Sequence, residues 1–124
     1  MILEAAQIVS GYPFVARRHG RVPLCDAVAV LACLERAAGL ALDPIDEPAA
    51  VFFSLASKRR AFPFAWKLMA RLVARAQATA NGLVIHASAR ELDALCVEVL
   101  YQRATWAVVQ RWFAERLRPH PPSA

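Results

Sequence analysis

The side chains that could do chemistry concentrate in residues 58–82, which read KRRAFPFAWKLMARLVARAQATANG. Lys58, Arg59 and Arg60 are consecutive cations, and Lys67, Arg71 and Arg75 follow at a spacing of four. Such a set suits an anion. A guanidinium takes two oxygens of a phosphate or carboxylate at once, and an ammonium supplies a point charge. Arg60, Lys67 and Arg71 are therefore the anion-binding candidates. Trp66 has two readings: it stacks on a base or sugar, or it fills the site together with Phe64. The second is the favoured one, because large apolar groups close a polar site. Phe62 reads as core. His19, His86 and His120 are scattered, and each alone reads as incidental although an imidazole can act as ligand or base. Cys25, Cys33 and Cys96 lack metal-ligand spacing and read as small buried apolar residues in a reducing compartment.

The elements that must position these groups follow from periodicity. A helix is predicted over 64–80, with Pro63 suited to a first turn. Its expected inward stripe is Ala65, Met69, Leu72, Val73, Ala76 and Ala80, and Asn81-Gly82 is its stop. A loop feeding such a helix start is an anion site in principle, since free N–H groups and the dipole favour negative charge. The preceding helix is predicted over 47–60, with Pro48 in its first turn. It would end on Lys58, Arg59 and Arg60, where cations complement the dipole.

Upstream, a helix over 3–9 stops at Ser10-Gly11 before Pro13, and a basic loop follows over 12–22. A second helix over 23–38 carries Val28, Leu31, Ala32 and Glu35 at amphipathic spacing, with Gly39 as its cap. Residues 40–45 are irregular. Downstream, Leu83-Val84-Ile85 reads as a short strand or an apolar loop. Ser88-Ala89-Arg90-Glu91 is a capping-box pattern. It opens a helix to 102 with Leu92, Leu95, Cys96, Val99 and Leu100 inward. Thr105 caps a last helix whose core stripe is Val108, Val109, Trp112, Phe113 and Leu117. The expectation is one all-α domain over 1–118, a bundle of about six helices, with a disordered tail over 119–124.

Residues 58–82 also resemble the core motif of the Fic/Doc (death-on-curing) family, HxFx(D/E)(A/G)N(K/G)R at a loop-to-helix junction, with the helix ending in NG. In the register set by Phe62 and Asn81-Gly82, Phe62, Ala65 and Lys67 match. The motif histidine falls on Arg60, the metal-site acid on Phe64, the phosphate-binding asparagine on Trp66 and the last arginine on Leu68. Residues 22–27 (VPLCDA) resemble a short helix start of small bacterial Doc-like proteins, and 43–55 (DPIDEPAAVFFSL) resemble one of their helices. The resemblance implies a Fic-like helical bundle and a toxin paired with an antitoxin. In that family the histidine is the base that frees a target hydroxyl to attack phosphorus. Arg60 stays protonated and cannot take that proton. Phe64 cannot hold Mg²⁺, which needs oxygen ligands. Residues 40–45, where the family has a target-docking flap, are short. AMP or phosphate transfer is therefore expected to be lost, with no catalytic residue, no metal and no required cofactor. Any nucleotide would bind without Mg²⁺, and the chain would act through an antitoxin or other protein partner. The alternatives are a divergent phosphoryl, nucleotidyl or glycosyl transferase drawing on Lys67, His86 and Glu91, and a small basic nucleic-acid binder.

Composition bounds the class. The chain has 124 residues, 58% of them hydrophobic, and a formal charge of +5. One core is the expectation. The positive balance favours an acidic partner or simply a solubilising surface. Nucleic acid is not the expected partner, since no recognition motif accompanies the charge. No apolar run approaches the ~18 residues of a membrane span, and residues 1–11 lack a signal peptide's pattern. A cytoplasmic location is expected.

Overall fold

The computed structural model describes residues 1–18, 25–63 and 65–121. In chain order these form α1 (Ala5–Arg18), α2 (Ala27–Leu40), a 3₁₀ turn (Pro44–Asp46), α3 (Glu47–Ala56), a second 3₁₀ turn (Arg59–Ala61) and α4 (Trp66–Ala80). Strand β1 (Leu83–Ile85), α5 (Ala89–Leu100), α6 (Trp106–Ala114) and β2 (Leu117–Pro119) complete it. Six α-helices and one two-stranded ribbon make an all-α bundle, the class expected from periodicity.

Helix α3 is the centre. It is apolar all round, and Pro48 to Phe52 and Ser54 to Ala56 are buried. A helix with no polar face must be enclosed by others. Helices α2, α4, α5 and α6 all pack on it. Phe52 meets Phe113 of α6 with ring centroids 5.3 Å apart. Two fully buried Phe side chains contribute roughly 1.5–3 kcal/mol each by removal from water.

Local chemistry sets most boundaries. Asp26 Oδ1 accepts the Ala29 N–H at 3.0 Å and starts α2. Ser88 and Glu91 form the reciprocal capping box that starts α5. Thr105 Oγ1 accepts the Val108 N–H and starts α6. Helix α4 closes on Asn81, and Gly82 adopts φ +71°, a conformation that costs glycine little. That turn feeds β1, which pairs antiparallel with β2 in the register Leu83↔Pro119, Val84↔Arg118, Ile85↔Leu117.

Several expectations are corrected. Helix α1 does not stop at Ser10-Gly11 but runs through Pro13 to Arg18. Ser10 Oγ bonds back to the Ala6 carbonyl at 2.6 Å instead of capping, and Tyr12 is buried against Phe62. This packing outweighs the carbonyl that Pro13 leaves unbonded. Helix α2 includes Gly39, and its last turn closes through the Ala41 N–H on Ala37 O at 2.9 Å. Its buried residues are Val30, Cys33, Leu34 and Ala37, while Val28 is 79% exposed and Leu31 is also exposed. Helix α3 ends at Ala56, so Lys58, Arg59 and Arg60 lie beyond its last turn. The chain leaves the helix there to bury Ala61 and Phe62.

Helix α4 starts at Trp66, with Pro63 in the turn before it. Leu72, Ala76 and Ala80 face solvent rather than the core. On α6, Val108 is exposed and Trp112 half-buried. Residue 119, expected to begin a tail, is the last of β2, and the His120 N–H reaches Gly82 O at 2.8 Å. His19, Phe64, Pro23 at the expected start of the second helix, and residues 122–124 lie outside the described residues.

Candidate functional site

The junction between α3 and α4 places the candidate residues. Trp66 opens α4 and is 9% exposed. Its Nε1–H donates to the Ala56 carbonyl at 2.9 Å. Ala56 ends α3, so the indole satisfies one of the carbonyls that a helix C-terminus leaves without a partner. The ring packs at the α3–α4 junction, and its indole N–H is spent within the fold. The Arg59 guanidinium lies over that ring, 5.9 Å from its centroid. Phe62 is core, packed on Tyr12 at 4.9 Å. Ala65 and Leu68 are half-buried.

The cations diverge. Arg60 Nη2 meets Asp26 Oδ2 at 3.1 Å, at the start of α2. The Asp26 N–H in turn donates to Ala61 O at 3.1 Å, so one residue ties this turn to α2 twice. The Asp26 carboxyl is held below its ordinary value, first by the Ala29 N–H and then by Arg60. Arg71 Nε meets Asp93 Oδ1 of α5 at 3.2 Å. Arg75 donates to the Ile85 carbonyl at 3.3 Å and the Ala87 carbonyl at 2.8 Å, which pins β1 to α4. The Lys67-Arg71-Arg75 stripe is real, but two of its three members are spent on the fold. Lys67 is exposed, in the first turn of α4, and among the described residues it makes no hydrogen bond or ion pair. No side chain caps that turn.

Among the described residues no hydrogen bond or ion pair joins Lys67, His86 and Glu91 to one another. Glu91 is committed to the Ser88 cap, with Arg116 Nε at 3.9 Å. The His86 backbone N–H bonds to Arg116 O at 2.7 Å. Among the described residues no group of three His, Cys, Asp or Glu side chains could hold a metal. Cys33 and Cys96 are buried and Cys25 half-buried, all as thiols. Burial pushes Cys96 up to about 12, with Asp93 adding to the rise and Lys67 opposing it. No described helix is long and apolar enough to cross a membrane.

Gln77, Asn81 and Glu47 were missed as a polar constellation. Gln77 is wholly buried, and it bonds to the backbone of Met1 and Leu3 and to Asn81. The signal was present: Gln77 stands four residues after Val73 and eight after Met69, on the buried stripe of α4. A polar residue at a core position must be paired there. No family model matches the chain, and no curated protein matches it either.

Proposed function

We propose that this chain is a Fic/Doc-like helical domain that has lost group transfer and works by binding a protein partner. One observation carries the reading. Trp66, where the resemblance puts the phosphate-binding asparagine, is buried and bonded to Ala56 O, which supports a closed rather than an open site. Arg60, where it puts the base, is a permanent cation paired with Asp26. The resemblance makes the partner an antitoxin. A cytoplasmic setting agrees with three free cysteines. Exposed Val28 and Leu31 on α2 offer apolar surface to such a partner. Nucleic acid is not proposed, because Arg60, Arg71, Arg75, Arg103 and Arg116 already bond to carboxylates or carbonyls of the fold.

The test is thermal stabilisation by ATP, GTP, CTP and UTP, each with and without Mg²⁺. Ligand binding to the native state must raise the melting temperature. A flat response to all four is expected. A rise would overturn the reading in favour of a divergent transferase or a nucleotide held without Mg²⁺. The first turn of α4, where Lys67 is exposed and no cap or partner is found among the described residues, is the observation that favours this second reading. In that case Lys67→Ala should abolish the rise.

A further inference from the structure

Residues 1–4 precede α1 and are held to the body largely by side chains rather than by a neighbouring strand. Gln77 Oε1 accepts the Leu3 N–H at 2.8 Å, and Gln77 Nε2 donates to the Met1 carbonyl at 2.8 Å. A carboxamide carries the same acceptor and donor as a peptide group. It therefore reads two backbone groups of this segment as an adjacent strand would. The amide is itself fixed: Nε2 also donates to Asn81 Oδ1 at 3.1 Å. Asn81 Nδ2 donates to Pro44 O at 2.8 Å and to Glu47 Oε1 at 2.7 Å, the latter on a buried carboxylate.

Gln77 sits on the buried stripe of α4 with Val73, Ala74 and Ala78, so its amide is out of reach of bulk water. Two clefts flank the segment. One, of about 350 Å³, runs between α1 and α4 and is lined by Leu3, Ile8, Met69, Leu72 and Val73 among others. The other, of about 390 Å³, is lined by Ile2, Glu4, Ala80 and Asn81 among others. The Met1 side chain is 92% exposed, so the segment is gripped by its backbone more than by its first side chain.

We infer that Gln77, held in position by Asn81, forms a receptor for an extended peptide backbone, filled in cis by Met1–Glu4, and that the same peptide can fill it in trans once that strap is released. Backbone-directed recognition of this kind is the logic of strand addition, with the flanking clefts supplying side-chain preference. The resident strap wins in the intact chain because a tethered segment has an effective concentration of roughly millimolar.

The test uses the full chain. Leu3→Pro removes the N–H that Gln77 reads and leaves α1 alone, since that helix begins at Ala5. A peptide of sequence MILEAAQ with a free amino terminus, which keeps the ammonium that meets Glu47 Oε1 at 2.8 Å, is titrated while the melting temperature is followed. A saturable rise is expected in Leu3→Pro, with none in the parent and none in Leu3→Pro combined with Gln77→Met. No rise in Leu3→Pro overturns the inference, and so does an equal rise in the parent or in the double variant. Should Leu3→Pro fail to fold, hydrogen exchange of the Leu3 amide decides. It should speed up by about tenfold or more from parent to Gln77→Met, and unchanged exchange overturns the latch.

Discussion

Asp26 concentrates three functions in one residue. It caps α2, pairs with Arg60 and docks the 59–61 turn through its own N–H. Hydrogen bonds to its charged form depress its pKa, the Ala29 N–H most and Arg60 next. A depressed carboxyl stabilises the fold above its unfolded pKa of about 3.9, and that contribution is lost as pH falls through the folded value. Asp26→Asn keeps an acceptor for the cap and removes only the charge. The variant should therefore unfold at lower urea than the parent near neutral pH, with the difference closing by about pH 2. A gap independent of pH would mean that the charge contributes nothing. Trp66 acts at the same scale: its indole N–H donates to the Ala56 carbonyl at the end of α3.

At the scale of elements, the α4–β1 junction depends on backbone conformation more than on contacts. A Cβ added at Gly82 would meet nothing within 4 Å, yet φ is +71°. Gly82→Ala should therefore cost about 1–2 kcal/mol through backbone strain alone, read from denaturant midpoints, and Gly82→Asn should cost less. The stop at Asn81-Gly82, the Ser88–Glu91 box and the Thr105 cap were legible because each is written in a few adjacent residues. The end of α3 was not, because it depends on where Phe62 must go to reach Tyr12. Helix α1 was misjudged for the same reason: local signals at Ser10, Gly11 and Pro13 lost to the burial of Tyr12.

For the whole molecule, the chain closes on itself. Residues 117–120 return to β1, bury Leu117 and bond to Gly82 O. A chain ended after Arg116 should lose about 2–5 kcal/mol, the usual cost of removing a buried leucine. Melting followed by circular dichroism would measure it, and an unchanged midpoint would show the ribbon to be decoration. Residues 1–4 close the opposite end of the sequence onto α3 and α4 through Glu47 and Gln77. Arg60 and Arg71 pair with carboxylates on different helices, Asp26 at the start of α2 and Asp93 on α5, so these two cations do not converge on one anion.

The sequence by itself determined the all-helical class, the Ser88 and Thr105 caps and the NG stop. Those properties rest on residue type and short-range spacing. Tertiary structure alone decided which stripe of each helix is buried. In a chain 58% hydrophobic, α2 and α4 each carry more than one apolar stripe, so periodicity names a helix without naming its inner face. On α2 the face with Val30 and Leu34 met α3, and Val28 and Leu31 were left to solvent. Tertiary structure also decided that Arg60 and Arg71 would point to different partners and that Gln77 would hold residues 1–3. Those outcomes depend on groups between 22 and 76 positions away along the chain, beyond the reach of any local pattern.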